Sequence, residues 1–173
     1  MSMGDIRKIL IVLIVFFAPF FAKGSVVINE IMYNLDGADK GREWVEIFNS
    51  GSAPIDLSGW KFFENKTNHK IKLAGGEENF IIPVGGYAVL ADRPKKFLSD
   101  WPNFSGTIFD TAFSLKNSGE PLALRDSGLN DVDSVFYNSD WGGDGDGSSL
   151  QKIGGKWVGA RPTPGALNSG QQN

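Results

Sequence analysis

From Ser25 onward, apolar residues recur at every second position in short runs, and each run ends in a cluster of Gly, Pro, Asn, Asp or Ser. Period two marks a strand with one buried face, and the punctuation marks tight turns. In SVVINEIMY (25–33), Val27, Asn29, Ile31 and Tyr33 share one predicted face, with Val26, Ile28, Glu30 and Met32 on the other. EWVEIFN (43–49) places Trp44, Glu46 and Phe48 opposite Val45 and Ile47. IDLSGWKFF (55–63) reads as one strand kinked at Gly59, and HKIKLA (69–74) as another. NFIIP, GYAVLAD, TIFD, AFSL, PLALRD, DVDSVFY, SSLQKI and KWVGA continue the pattern. One short helix is predicted over 93–101, opened by Pro94.

Many short strands without helical crossovers imply antiparallel pairing in two packed sheets, with a closed barrel as the alternative. Composition supports the β class. Gly is 22, Phe 13 and Trp 5, which suits strands and turns better than helices. The unit expected from this pattern covers 25–168, and 169–173 read as a disordered tail.

The first 24 residues obey no period. Arg7-Lys8 precedes an apolar stretch over 9–22, 14 residues long, with Pro19 inside it. A membrane-spanning helix needs about 20 apolar residues, so this stretch is short for one. Ala22 and Gly24 supply small residues ahead of Ser25. The expectation is a hydrophobic signal helix over 1–24, cleaved near Gly24/Ser25, and a secreted or cell-envelope location. The alternative is an uncleaved leader anchoring the protein to a membrane.

Charge and cysteine usage narrow the function classes. Residues 1–24 carry +2 (Arg7, Lys8 and Lys23 against Asp5), which leaves −5 for the remainder of a chain whose net charge is −3. Phosphate neutralisation drives nucleic-acid binding, so this balance disfavours a nucleic-acid partner. Cys is absent, which excludes disulfides, thiolate zinc sites and cysteine nucleophiles.

Candidate chemistry is sparse. Asp144-Gly-Asp146-Gly resembles the start of a calcium loop, with Asp140, Asp131 and Asp133 as further carboxylates in reach. The register then fails, because Gly155 stands where a bidentate Glu is needed, and a Gly-rich turn explains the same residues. Calcium through Asp140, Asp144 and Asp146 is therefore one expectation, and no cofactor at all is the other. Glu30, Glu43 and Glu46 are carboxylates near the start of the fold. Glu43 and Glu46 lie three apart on a strand and point to opposite faces, so they do not converge as a glycosidase pair would. Their alternative role is bonding to turn backbone. His69, the lone histidine, is expected at the surface, and no nucleophile elbow accompanies it. Trp44 and Trp60 are expected in the core, and Trp141 and Trp157 as exposed ligand contacts.

INEIMYN, EWVEIFNSGSAPIDLSGWKF, IIPVGGYAVLAD and FSLKNSGEPLALRDSGLNDVDSVFY, in that order, resemble the successive blocks of the lamin tail domain. GGDGDGSSLQKI and WVGARPTPGALN resemble the ending of its prokaryotic versions, so the resemblance runs from Val26 to Asn168. It implies an immunoglobulin-like antiparallel β-sandwich. The chromatin partners of nuclear members do not carry over, since the chain has no rod, no CaaX box and no basic tail. The expected function is an exported, non-catalytic binding or structural module, with a protein or polysaccharide partner at the cell surface. A calcium-dependent carbohydrate or matrix binder and a nucleic-acid-binding accessory domain are the alternatives.

Overall fold

The computed structural model describes residues 26–171. The leader expected over 1–24 lies outside the described residues. Two main sheets form the body. The larger is built from β1 (Val26–Met32), β2 (Trp44–Asn49), β6 (Lys72–Leu73), β8 (Tyr87–Ala91), β9 (Thr107–Asp110), β12 (Ser149–Ile153) and β13 (Lys156–Ala160). Its strand order is β13–β12–β1–β2–β8–β9–β6. The smaller contains β4 (Lys61–Glu64), β5 (Thr67–Lys70), β10 (Pro121–Arg125) and β11 (Asp131–Phe136), in the order β11–β10–β4–β5. A two-stranded ribbon pairs β3 (Ile55–Asp56) with β7 (Ile81–Ile82). Among the described residues one α-helix, α1 (Pro94–Asp100), interrupts the strands.

The main core fills the space between the two sheets. Val45, Ile47, Leu90 and Phe109 from the larger sheet meet Phe62, Leu122 and Leu124 from the smaller one. A second cluster lies on the opposite face of the larger sheet, where Met32, Trp44, Val89 and Ile108 pack under Phe97 of α1. Burial on both faces explains the near-continuous apolar runs of β1, β2 and β8, and alternation decides which cluster each residue joins. At one corner Ile28 N–H donates to Asp133 Oδ2 at 2.8 Å, where β12 no longer pairs with β1. That contact is a side-chain bridge and not a ladder, so the sheets stay two layers and the barrel alternative fails. The layered all-β arrangement is consistent with the immunoglobulin-like class.

Several elements differ from the sequence reading. β1 does not keep one parity, because its register shifts between Ile28 and Glu30. Val26, Ile28, Ile31 and Tyr33 all reach the main core, and the bulge turns Asn29 and Glu30 together to the opposite side. Residues 55–63 are two strands. Asp56 Oδ1 accepts from Ser58 N–H at 2.8 Å, Gly59 sits at φ +79°, and the resulting turn sends β3 and β4 to different sheets. Residues 69–74 also divide, as the chain crosses between layers at buried Ile71. AFSL (112–115) forms no strand. Finally, β8 and β9 pair in parallel, and α1 lies in the connection between them. Parallel neighbours need such a crossover, so the expectation of purely antiparallel pairing is corrected here.

Candidate functional site

Most of the buried polar residues gather in two places, with Asn49 apart from both, where its Nδ2 donates to Ala53 O and Ile82 O at 2.9 and 3.0 Å. Glu30 and Glu46 are Cα partners across β1 and β2, and both are 0% exposed. They face away from the main core, and residues 161–169 lie over them. Glu30 Oε1 accepts from Thr163 N–H at 3.0 Å and from Ser149 Oγ–H at 2.5 Å, while its Oε2 accepts from Thr163 Oγ1–H at 3.0 Å. Glu46 Oε2 accepts from Gly165 N–H at 2.5 Å and its Oε1 from Asn29 Nδ2 at 2.8 Å. Asn168, fully buried, donates to the carbonyls of Asn29 and Lys152 at 3.2 and 3.0 Å. Gln151 Nε2 donates to Arg161 O at 2.6 Å, and Ser169 N–H donates to Gln151 Oε1 at 2.8 Å. Ser169, read from sequence as part of a frayed tail, is thus fastened to β12. This clasp needs the bulge at Asn29, which turns two consecutive polar residues outward.

Burial is the main influence on both carboxyls. It pushes Glu46 up to about 8, against the bonds from Gly165 and Asn29 and with help from the neighbouring Glu30. It raises Glu30 as well, opposed by Ser149, Thr163 and Gln151. These raised, paired carboxyls do not form an open acid–base site, because the clasped segment seals them from any substrate.

A second group holds the loop after β9. Leu115 N–H donates to Glu43 Oε1 at 2.8 Å and Lys116 N–H to Glu120 Oε1 at 2.9 Å. Tyr137 O–H closes the loop onto Lys116 O at 2.7 Å. Backbone amides committed to carboxylates cannot join a ladder, which is why AFSL is not a strand. Glu43 is pushed up to about 8, mainly by burial, and Glu64 is raised by burial and by Glu120. His69 Nε2 lies 3.0 Å from Glu64 Oε2 and is partly buried. That corrects its expected surface placement: the β4–β5 hairpin folds it back toward Glu64. Glu43 and Glu46 do point to opposite faces, as their spacing required, and both bind backbone.

The residues singled out as a calcium site are not brought together. Asp140 is exposed in a 3-10 turn over Ser139–Trp141. Asp144 Oδ1 accepts from Asn34 Nδ2 at 2.7 Å, and Asp146 Oδ1 accepts from Ser148 N–H at 2.8 Å. Among the described residues no three His, Asp or Glu side chains are grouped to hold a metal. The four glycines at 142, 143, 145 and 147 all have positive φ, as a turn-rich segment demands. Trp141 is exposed, at 39%. Trp157, expected to be exposed as well, is partly buried and packs against the main core, so its exposure is corrected.

The clasp also forms the wall of a groove that sequence reasoning missed. Two adjoining depressions, of about 410 and 430 Å³, share Asp100, Trp101 and Pro162. Phe104 and the α1 end stand on one side, and Pro162, Thr163 and Pro164 on the other. Met32, Leu35 and Arg42 line the second depression. Trp101 lines both, and its indole N–H is buried without a hydrogen-bond partner among the described residues. A buried donor without a partner costs stability, and the neighbouring Trp44 indole N–H is a second one among the described residues. The only trace in the sequence was RPTPG, where two prolines stiffen a segment that has no strand pattern.

No curated protein and no solved structure matches the chain. A family model described as the lamin tail domain matches residues 19–139. The matched region holds both sheets' central strands, α1 and the carboxylates Glu30, Glu43, Glu46, Glu64 and Glu120, and it ends before the clasped segment. With its ordered motif blocks, its all-β layers and this match over more than half its length, the chain belongs to the lamin tail domain family, a family of non-catalytic, immunoglobulin-like binding and structural domains.

Proposed function

We propose that the protein is an exported, non-catalytic binding module of the cell surface or extracellular space, and that it meets its partner in the groove between α1 and residues 161–166. The observation that carries this reading is the wall of that groove. Its backbone is held rigid by two fully buried carboxyls through Thr163 and Gly165. A preorganised wall lowers the ordering cost of binding, and the aromatic and proline lining offers apolar contact without flexible side chains. The partner is a protein or polysaccharide of the same compartment.

Capture from cell-envelope fractions tests the groove. Ala166 lines it and is exposed, and only its backbone N–H, which a substitution keeps, bonds within the clasp, to Thr163 O at 3.0 Å. The native protein is expected to retain a partner that Ala166→Arg does not; equal capture by both refutes the groove. Export has its own test. N-terminal sequencing of protein collected from the medium should begin at Ser25, and a start at Met1 or Ser2 refutes cleavage.

A further inference from the structure

The outer face of the smaller sheet carries an arrangement that stability alone does not explain. Register places Arg125 opposite Lys61, and Lys61 opposite Lys70, in one row across β10, β4 and β5. Like charges directly opposite on a sheet are destabilising. Lysines on an edge strand guard against edge-to-edge pairing, which accounts for Lys70 on β5. It does not account for Lys61, whose strand β4 lies between β10 and β5 and whose Nζ commits one of its three protons to Gly59 O at 3.0 Å. Arg125 of this row is held by Asp131 at 2.6 Å and donates through Nη1 to Asn68 Oδ1 at 2.9 Å.

Beside the row the face is hollowed. Ala123, on the same side of β10 as Arg125, floors a depression of about 300 Å³ between Phe63 and Phe136. Phe136 is 63% exposed, the most open large apolar residue among those described. We infer that this face binds an acidic polysaccharide, with one sugar ring seated over Ala123 against Phe136 and the carboxylates of successive sugars paired with Lys61, Lys70 and Arg125. The strands that carry the cations lie roughly 4.8 Å apart, close to the advance of one pyranose in an extended chain. A small aliphatic floor suits the C–H face of a sugar. The ring that would otherwise stack a nucleobase, Phe63, is already covered by the Arg125 guanidinium at 3.8 Å from its centroid. The inference goes beyond the groove and concerns a separate surface.

Affinity electrophoresis of the purified protein in gels containing polygalacturonate tests it. The native protein should be retarded, and added salt should weaken the retardation. Lys61→Gln/Lys70→Gln should bind roughly tenfold more weakly, given what two exposed charge contacts are worth. Lys95→Gln/Lys96→Gln on α1 makes the same change in net charge and should behave as the native protein. Phe136→Ser, which leaves the cations in place, should also weaken binding. Melting curves check the folds, and the Lys61/Lys70 variant should melt no lower than the native protein, because a repulsion has been removed. The inference is overturned by any of three results: no retardation in polygalacturonate, equal retardation of all variants, or binding of single-stranded oligothymidylate or polyglutamate at this face in its place.

Discussion

Glu46→Gln should reverse its effect on stability between acidic and alkaline pH. In the folded protein burial pushes the Glu46 carboxyl from 4.5 up to about 8. The unfolded chain loses this proton near 4.5, whereas the folded protein keeps it until about 8. Between those values the folded state binds more protons, so the stability due to this group is complete below 4.5 and is lost as pH rises through 8. At about 1.4 kcal/mol per pKa unit, the full swing has an upper limit near 5 kcal/mol, with about 3.4 kcal/mol of it falling between pH 4.5 and 7. Gln has the shape of the protonated acid and does not titrate. It offers one acceptor and one donor where Gly165 N–H and Asn29 Nδ2 now donate, so at pH 5 the variant should be slightly less stable than the native protein. At pH 9 it should be more stable by up to a few kcal/mol. Glu43, also pushed up to about 8, gives the same sign of slope and remains in the variant, so the variant's profile is flattened and not level. Urea unfolding followed by tryptophan fluorescence at pH 5, 7 and 9 measures all of this. A native profile that stays flat or rises over that range, or a variant with an unchanged slope, refutes the assignment of Glu46 as a buried neutral acid.

Other outcomes follow from single contacts. Gly119→Ala should lower stability by about 2 kcal/mol or more, since an added Cβ would stand 2.2 Å from Tyr137 O at a backbone φ of +104°; thermal melting within a degree of native would refute the close approach. Asn168→Ala removes the buried donor to Asn29 O and Lys152 O and should cost about 1–3 kcal/mol. Limited proteolysis should then cut within residues 161–169 before the sheets, and simultaneous cleavage everywhere would argue against a separable clasp. Phe97→Ala empties the centre of the second apolar cluster and should cost about 3–5 kcal/mol in chemical unfolding. A loss below 1 kcal/mol would mean that α1 is only loosely docked.

Much of the fold was legible because its information is local. Alternation located the positions of β1, β2, β8, β10, β11 and β12, and Pro94 located α1. The same reasoning failed where one residue changes parity. Read as an unbroken strand, residues 25–33 put Glu30 beside Val26 and Ile28; the bulge at Asn29 separates them. The warning was present in the chain as a polar pair, Asn29-Glu30, set between apolar residues whose spacing shifts from even to odd. Strand breaks at Gly59 and Ile71 were harder to see, because whether a kinked run stays in one sheet depends on which layer has room for its second half.

The amino-acid sequence by itself determined the β class, the placement of the turns, the absence of cysteine chemistry and the ordered blocks of the lamin tail domain. These rest on composition, period and local backbone preference, which need no knowledge of distant neighbours. Only the tertiary structure decided what the buried glutamates do. Residues 30 and 163 lie far apart along the chain, and nothing local to either says that one carboxyl will take the other's N–H. The parallel pairing of β8 with β9, the groove at Trp101 and the cationic row of Lys61, Lys70 and Arg125 are likewise products of register. Each arises when strands from separate parts of the chain align, and a burial or a juxtaposition of charge exists only once they have done so.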